Sequence, residues 1–496
     1  MIIMKFGGSS VGSSAAIRRV ASIVQSQVDR RPVVVVSAFD TTTDQLSNIL
    51  AHASRGEAYM VSKWINELRE FHFCIAEDLL SPATLQPIDL YIRTTFRDLH
   101  VRMSEVCEGE RTPTPALKDW TLSLGEQLSS CIIAAVFNDL GMATSHLDSK
   151  KLILTDDQFT HAVPRYWETY ANFRWAVAGV PKHSAIVLGG FIGATEDGDP
   201  TTLGRGGSDL TATIAGAALN AEEIQIWKDV DGMLTCDPKI RKGGFLLKSL
   251  SYREAGELAK AGAKILHPDT VAPAERLHIP IVLRNTFRPD SRGTSITVNG
   301  THCSNAVKSI ACKNGITLLE IRSPRPELPL IDSLPALREM FEQERSAHFL
   351  GMSADAIYLA VDNLANHEQQ RLASSSCIEV HIRTAQSIVT LVGEGISNGS
   401  NVHRRIAALV ADAPVVVLPQ EKGSCSLRIV VPSRDLFTHL DALHNAFFSE
   451  IDSRVFAESF ATSIEPIRQR VMTATSTTSL QPDAAVSASN RYAFSR

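Results

Sequence analysis

Four consecutive valines, Val33–Val36, follow Pro32. A β-branched run with no polar position fits a strand covered on both faces, as in a parallel sheet packed between helices. The residues before it agree. Ile2–Phe6 reads as a short apolar strand and Gly7–Ser13 as a small-residue turn. Ser14–Val28 has helical spacing, with Ile17, Val20, Ala21 and Val24 on one face. Strand, helix, strand in that order is a βαβ unit, so an α/β fold is expected.

The alternation continues. Thr43–Arg111 is mostly helical and is ended by Pro113 and Pro115, and Thr121–Leu140 is a further long helix with Gly125-Glu126 near its start. Ile186–Phe191 is a strand entering a glycine loop that runs through Asp197–Gly207 to the helix Ser208–Leu219. Ile224–Trp227, the turn Val230-Asp231-Gly232, the helix Tyr252–Lys260 and the strand Ile281–Leu283 carry the pattern to about residue 298. After Asn299 the character shifts. Strands at Ile310–Arg322, Ala356–Val361, Ser376–Arg383, Ile388–Val392 and Leu427–Val431 are separated by helical patterns at Pro335–Glu344, Val402–Leu409 and Asp435–Phe448. This approaches two βαββαβ units of the split βαβ type. Residues 467–496 are expected to form a disordered tail, because from Val471 on the sequence is rich in Ser, Thr and Ala without periodicity.

Composition narrows the partners. The net charge of −5 argues against nucleic acid and against a polybasic membrane surface. No run is read as a membrane span, and the start shows no leader character. Eight cysteines without metal-type spacing read as reduced thiols in a cytoplasmic protein.

Two stretches carry the chemistry. Lys5 ends a strand immediately before Gly7-Gly8-Ser9, a turn whose backbone N–H groups can approach phosphate oxygens. The bland alternative is a plain βα turn with a surface lysine. Thr201–Asp209, TTLGRGGSD, sets Arg205 among Gly204, Gly206 and Gly207. A guanidinium is a planar fork for a carboxylate, and the glycines allow close backbone approach. Ser208 or Asp209 would cap the following helix. Glu126 reads either as a dipole partner in a first helical turn or as a receptor for a substrate ammonium.

KFGGSSV, Ser37 with its Thr-rich turn, GFIGAT, TTLGRGGSD, KDVDGMLTCDP and GAKILHP occur in this order. Together they closely resemble the aspartate kinases of the amino-acid kinase family, and the plant-type subgroup in particular. The resemblance covers about residues 1–298. It implies a three-layer αβα sandwich with a mainly parallel central sheet over 1–298, followed by two ferredoxin-like ACT modules over 299–466. It implies ATP-dependent phosphorylation of the β-carboxylate of L-aspartate, with Mg2+ on the nucleotide. Lys5 would stabilise the transferring phosphoryl group and Asp209 would organise the active-site lysines. Ser37, Thr43, Glu126, Arg205, Gly206, Gly207 and Ser208 would bind aspartate. Lys5, Gly7, Gly8, Ser9, Lys228, Asp229, Leu234, Lys239, Lys264 and Ile265 would bind ATP, with no metal held by protein side chains alone.

The chain departs from the family pattern in places. Phe39-Asp40-Thr41-Thr42 replaces a Met-Gly-Lys-Thr-type turn, Leu234 replaces a tyrosine, and Lys239 replaces an arginine. ITLLEIRS, VTLVGEG and RIVVP resemble ACT strands, whereas Pro324–Pro329 departs from the usual helix entry. The ACT pair implies lysine or threonine as effector and at least a homodimer; modules that dimerise without an effector are the other reading. A fused homoserine dehydrogenase is not expected. Two further functions stay open: a catalytically weak sensor, and a kinase for another small amino-acid carboxylate.

Overall fold

The computed structural model describes residues 1–263, 268–322, 347–353, 355–362, 364, 379–398, 400–410, 415–420 and 423–457. Lys264, Ile265, the 335–344 helical pattern and the 467–496 tail lie outside them. The first part contains strands β1 (Ile2–Phe6), β2 (Pro32–Val36), β3 (Thr144–Leu147), β4 (Ala185–Gly189), β5 (Ile192–Ala194), β6 (Pro200–Thr202), β7 (Glu223–Lys228), β8 (Leu246–Leu247), β9 (Ser249–Ser251), β10 (Ile281–Asn285) and β11 (Thr294–Thr297). Eight of them form one sheet in the order β3-β4-β2-β1-β7-β10-β11-β9. All neighbours are parallel except β10 and β11.

Helices α1 (Gly8–Val11), α2 (Ser14–Gln25), α3 (Thr42–Ala53), α4 (Ala58–Leu79), α5 (Pro82–Cys107), α6 (Pro115–Asp139), α7 (Ser149–Leu152), α8 (Tyr166–Ala178), α9 (Gly207–Leu219), α10 (Tyr252–Lys260) and α11 (Pro268–Arg276) complete this part. Those from α2 to α6 cover one face of the sheet and α8 to α11 the other. The valine run is buried throughout, as expected for a central strand, and it alternates between the layers. Val34 and Val36 pack with α2–α6; Val33 and Val35 pack with α8–α11. α6 alone among the described helices is long and apolar enough to cross a membrane, contrary to the sequence reading, yet 78% of its apolar window is buried as a core helix.

Strands β12 (Ser309–Arg322), β13 (Ala347–Met352), β14 (Ala356–Asp362), β15 (Glu379–Val392), β16 (Val416–Val417) and β17 (Ser426–Pro432) form a second, fully antiparallel sheet, β13-β14-β12-β15-β17-β16. Helices α12 (Ser400–Val410) and α13 (Leu436–Phe448) follow the expected positions. The two units are interleaved, which corrects the expectation of one following the other. Ser309–Lys313 pairs with Ile388–Val392, so the first half of β12 is the outer strand of the unit built from the second half of β15, β16 and β17. The pairing shifts around Gly315, and Ile316–Arg322 then belongs to the other unit, with β13, β14 and Glu379–Gln386. The unit spanning residues 316–386 is therefore inserted into the unit that Ser309–Lys313 opens and Ile388–Val392 resumes. The two strands expected at 376–383 and 388–392 are one continuous β15 over its described length, passing through Ala385 at φ +52°.

β18 (Phe456–Ala457) returns to the first part and pairs with β8. Nearby, Lys308 meets Glu254 of α10 at 2.7 Å in a fully buried ion pair. The same Glu254 closes a capping box with Ser251 and accepts the Glu394 amide at 2.9 Å. Removing one partner of a buried pair leaves an uncompensated charge, so this cluster fixes α10 to the second sheet.

Candidate active site

The C-terminal ends of the parallel strands align, with Phe6 beside Val36 and Trp227, and Val36 beside Gly189. Ligands of open α/β sheets collect at that edge. Strand alternation decides which side chains face which layer there. Ile2, Met4 and Phe6 point to the α2–α6 layer, with Phe6 stacked on Trp227 at 5.7 Å. Ile3, Ile224 and Ile226 point to the other layer. Lys5 and Lys228 continue those rows, so both ammonium groups rise on the side where α9 begins.

Asp209 in the first turn of α9 meets them. Lys5 Nζ lies 2.7 Å from Oδ1 and Lys228 Nζ 3.1 Å from Oδ2, with Lys5 and Asp209 each 7% exposed in their side chains. Burial pushes the Asp209 carboxyl up, but Lys5 and Lys228 outweigh it and hold the group below the usual carboxylate range. Burial pulls Lys5 below its ordinary value; Asp209 offsets part of this and Lys228 adds to it. Two lysines share one carboxylate, so the cluster carries one net positive charge at the strand ends. Neither Ser208 nor Asp209 caps α9, contrary to expectation. The N-cap is Gly206 in the left-handed region at φ +73°, and Asp209 is turned to the lysines instead.

Glu126 lies in the middle of α6, not near a helix start, because α6 begins at Pro115. It is 3% exposed, and its Oε2 has no hydrogen-bond partner. Burial pushes its carboxyl up to about 8, against the pull of backbone amides and of Lys5. A buried acceptor without a donor is costly and fits a site that awaits a cationic group. Gly125 and Gly189 allow the close approach: a Cβ on Gly125 would stand 2.8 Å from Ala38 Cβ, and one on Gly189 2.9 Å from the Glu126 carbonyl.

Arg205 is exposed between Gly204 and Gly206, both at positive φ, and makes no ion pair among the described residues. Ser37 Oγ donates to Ser208 Oγ at 3.1 Å, joining the end of β2 to the start of α9. Gly207 is pressed against Phe191, where a Cβ would come within 2.7 Å of the ring. Sequence reading missed Asp119. Buried in α6, it accepts the Thr202 amide and hydroxyl at 2.8 and 2.7 Å and the Thr160 amide at 2.8 Å, and so ties the glycine loop to the helix that carries Glu126. A lone Asp in LKDW carries no sequence signal for this.

The altered turn has a local explanation. Asp40 adopts φ +44°, a region that Asp tolerates better than most residues and that glycine adopts freely. Its amide donates to the Gly8 carbonyl at 3.2 Å, and Phe39 is fully buried against His72. Thr43 is half-buried, whereas Thr42 is 1% exposed with an unpartnered hydroxyl. Thr42→Val removes that orphan at nearly constant shape and is expected to stabilise the fold by about 1 kcal/mol; a lower urea midpoint would contradict this.

The expected nucleotide residues divide. The Gly7 amide donates to the Trp227 carbonyl at 3.3 Å, and Gly8 packs where a Cβ would sit 3.1 Å from the Ala38 and Asp40 carbonyls. Ser9 and Asp229 are exposed at the same edge, and Lys239 is exposed further along the β7–β8 connection. Leu234 is half-buried, bridges to Leu246 and lends its carbonyl to Ser309 at 2.8 Å, so it faces the second sheet's first strand. Neither Leu234 nor Lys239 hydrogen-bonds the Lys5–Asp209–Lys228 cluster among the described residues.

Residues 1–285 match the model of the amino acid kinase family. The aspartokinase of Chlamydia trachomatis is 34% identical over 341 residues, 68% of this chain and 74% of that protein. Aspartokinase 2 of Arabidopsis thaliana, a chloroplast protein, is 30% identical over 478 residues, 90% of this chain and 84% of that one. The structure of Escherichia coli aspartokinase III in complex with aspartate and ADP is 26% identical, with a TM-score of 0.75, covering 90% of this chain and 100% of that one. Sheet order, the paired lysines on one carboxylate and these similarities agree: the chain belongs to the amino acid kinase family, among its aspartokinases.

Proposed function

We propose that this chain transfers the γ-phosphoryl group of ATP to the β-carboxylate of L-aspartate, giving 4-phospho-L-aspartate and ADP, the first step towards lysine, threonine and methionine. The observation that carries the reading is the buried Lys5–Asp209–Lys228 cluster beside an unpartnered Glu126. No general base is needed, since a free carboxylate with a pKa of about 4 is ionised at neutral pH. One of its oxygens attacks the γ-phosphorus in line as the bond to the ADP oxygen breaks. Catalysis is then positioning and charge neutralisation. Lys5 holds its proton and faces the charge that develops on the transferred group. Mg2+ would be held by the nucleotide phosphates and would neutralise part of their charge; both Asp209 oxygens are engaged by lysines. Glu126 receives the substrate ammonium, Arg205 its α-carboxylate, and Ser37, Thr43 and Ser208 line the pocket.

A hydroxylamine trap for the acyl phosphate, run with aspartate, glutamate and N-acetylglutamate, tests the reading. Hydroxamate with aspartate alone is expected. Turnover confined to another carboxylate, or none at all, would overturn it. Arg205→Lys keeps the charge but loses the fork, and should lower kcat/KM for aspartate roughly 10- to 100-fold while leaving the KM for ATP unchanged. An equal loss for both substrates would remove Arg205 from the aspartate site.

Feedback control belongs to the same proposal. Escherichia coli aspartokinase III has been solved with lysine and aspartate in a T-state, at a TM-score of 0.74 to this chain. By that likeness, lysine acts here through the second sheet; threonine as the alternative effector, and assembly at least as a homodimer, rest on the ACT-like strand motifs of the sequence. Exposed Phe349 and Met352 on the edge strand β13 support an assembly through that sheet.

A further inference from the structure

The glycine loop 203–206 joins β6 to α9, and a buried carboxylate holds it at each end. At its far end Asp209, in the first turn of α9, meets Lys5 and Lys228. At its near end Thr202, the last residue of β6, gives both its amide and its hydroxyl to Asp119, at 2.8 and 2.7 Å. We propose that Asp119 is a positioning residue that sets the length of amino-acid substrate the site accepts. The proposal rests on the kinase reading and deepens it.

Asp119 is fully buried, and three donors from two segments converge on it. The third donor is the Thr160 amide, at 2.8 Å. Thr160 stands at φ +75°, and the next residue, His161, packs on the loop itself: a Cβ on Gly204 would lie 2.7 Å from His161 Nδ1. The Ala162 amide then returns to the Thr202 carbonyl at 3.0 Å. A non-glycine residue in the left-handed region persists where its surroundings hold it there, and here the Asp119 carboxylate does so. A buried carboxylate that loses a donor is costly, so both segments are drawn to one point on α6.

α6 carries that position to the substrate. Glu126 follows Asp119 by two helical turns, so the two carboxylates lie on one face of one helix, about 10 Å apart along its axis. Arg205 stands between Thr202 and Asp209 in the chain. The loop therefore spans from the helix that receives the ammonium to the lysines that face the phosphoryl group. Aspartate and glutamate offer the same α-carboxylate and α-ammonium, and differ by one methylene between these and the reacting carboxylate. A loop fixed at both ends holds the α-groups at one distance from Lys5, and the extra methylene displaces the attacking oxygen. A displacement of about 1 Å costs roughly 10²-fold in rate. Releasing the Asp119 end lets the loop drift, so aspartate loses its advantage.

The test measures kcat/KM for L-aspartate and L-glutamate with radiolabelled ATP, which detects trace turnover, in the full chain and three variants. Asp119→Ala should narrow the aspartate-to-glutamate ratio by roughly tenfold or more, mainly by lowering the aspartate value, with the KM for ATP unchanged. Asp119→Asn should restore most of the ratio, because its carbonyl oxygen accepts both amides and its NH2 group donates to the Thr202 hydroxyl oxygen. Thr202→Val keeps both amide donors and should narrow the ratio less; it carries the test if Asp119→Ala does not fold. Trypsin gives a readout without turnover. Cleavage after the exposed Arg205 should be faster in Asp119→Ala than in the wild type, at unchanged rates elsewhere, and Asp119→Asn should reverse it. An equal loss for both amino acids, an Asp119→Asn that behaves like Asp119→Ala, or cleavage after Arg205 that is no faster would overturn the proposal. A wild type that turns over neither amino acid would sink the kinase reading instead, and the cleavage rates would still decide whether Asp119 holds the loop.

Discussion

Lys5→Met will lower kcat by a factor on the order of 10³, with little change in the KM for aspartate. Lys5 is 6% exposed and, among the described residues, Asp209 is the one carboxylate within ion-pair distance of its ammonium. Burial already pulls its pKa down, so rising pH will remove the proton earlier than from a free lysine, and kcat will fall on the alkaline side. Asp209→Asn will act by another route. It leaves two lysines facing each other without their shared counter-charge, and losing one partner of a buried ion pair costs about 3–5 kcal/mol. That variant should lose both activity and melting temperature, whereas Lys5→Met keeps the Lys228–Asp209 pair and should lose mainly activity. Single-turnover acyl-phosphate formation with calorimetry on the same samples separates the two. Wild-type turnover in either variant would remove the cluster from the chemistry.

Glu126→Gln makes the second large effect, and its sign is opposite for function and for stability. The KM for aspartate should rise roughly 10- to 100-fold, the cost of losing a charged hydrogen bond. In the wild type only the ionised carboxylate receives the ammonium. With the free-enzyme group titrating at about 8, the KM for aspartate should fall as pH rises towards 8 and level off above it; the variant should show no such trend. Stability runs the other way. The folded state keeps a proton that the unfolded state loses near pH 4.5, so wild-type stability declines between pH 4.5 and about 8. Gln carries no such charge. Its melting temperature should exceed that of the wild type by a margin that grows across this window. A variant that melts lower at pH 8 would show that the carboxylate has a partner in the ligand-free enzyme.

The fold of the first part was legible because its signals are local. A four-valine run, a strand ending in Lys5 and an alternating pattern leave few arrangements. The catalytic cluster was legible only in part: the family resemblance implied that Asp209 organises the active-site lysines, whereas Lys228 was read just past its strand and given to ATP, and the residues alone made Asp209 a cap. What could not be read depends on distant pairing. Glu126 was placed near a helix start because Pro113 and Pro115 read as terminators, but Pro115 occupies the first turn of α6, where proline is well suited. Ser208 and Asp209 looked like caps, yet a left-handed Gly206 starts the helix and frees both side chains. Asp119 has no motif, since its three bonds go to backbone and hydroxyl groups more than 40 residues away. The insertion of one regulatory unit inside the other was hidden because a strand's neighbours are set by hydrogen bonds and leave little mark on its own sequence.

That insertion has a consequence for how the chain is made. Ser309–Lys313 leaves the ribosome well before its partner Ile388–Val392 is synthesised. At ~5–20 residues per second the delay is about 4–15 s. Throughout it, an apolar strand edge stands open beside a kinase core that is already complete in sequence. A nascent chain held in that interval is the species to which a chaperone would bind, and slowing translation over 313–388 would lengthen its exposure.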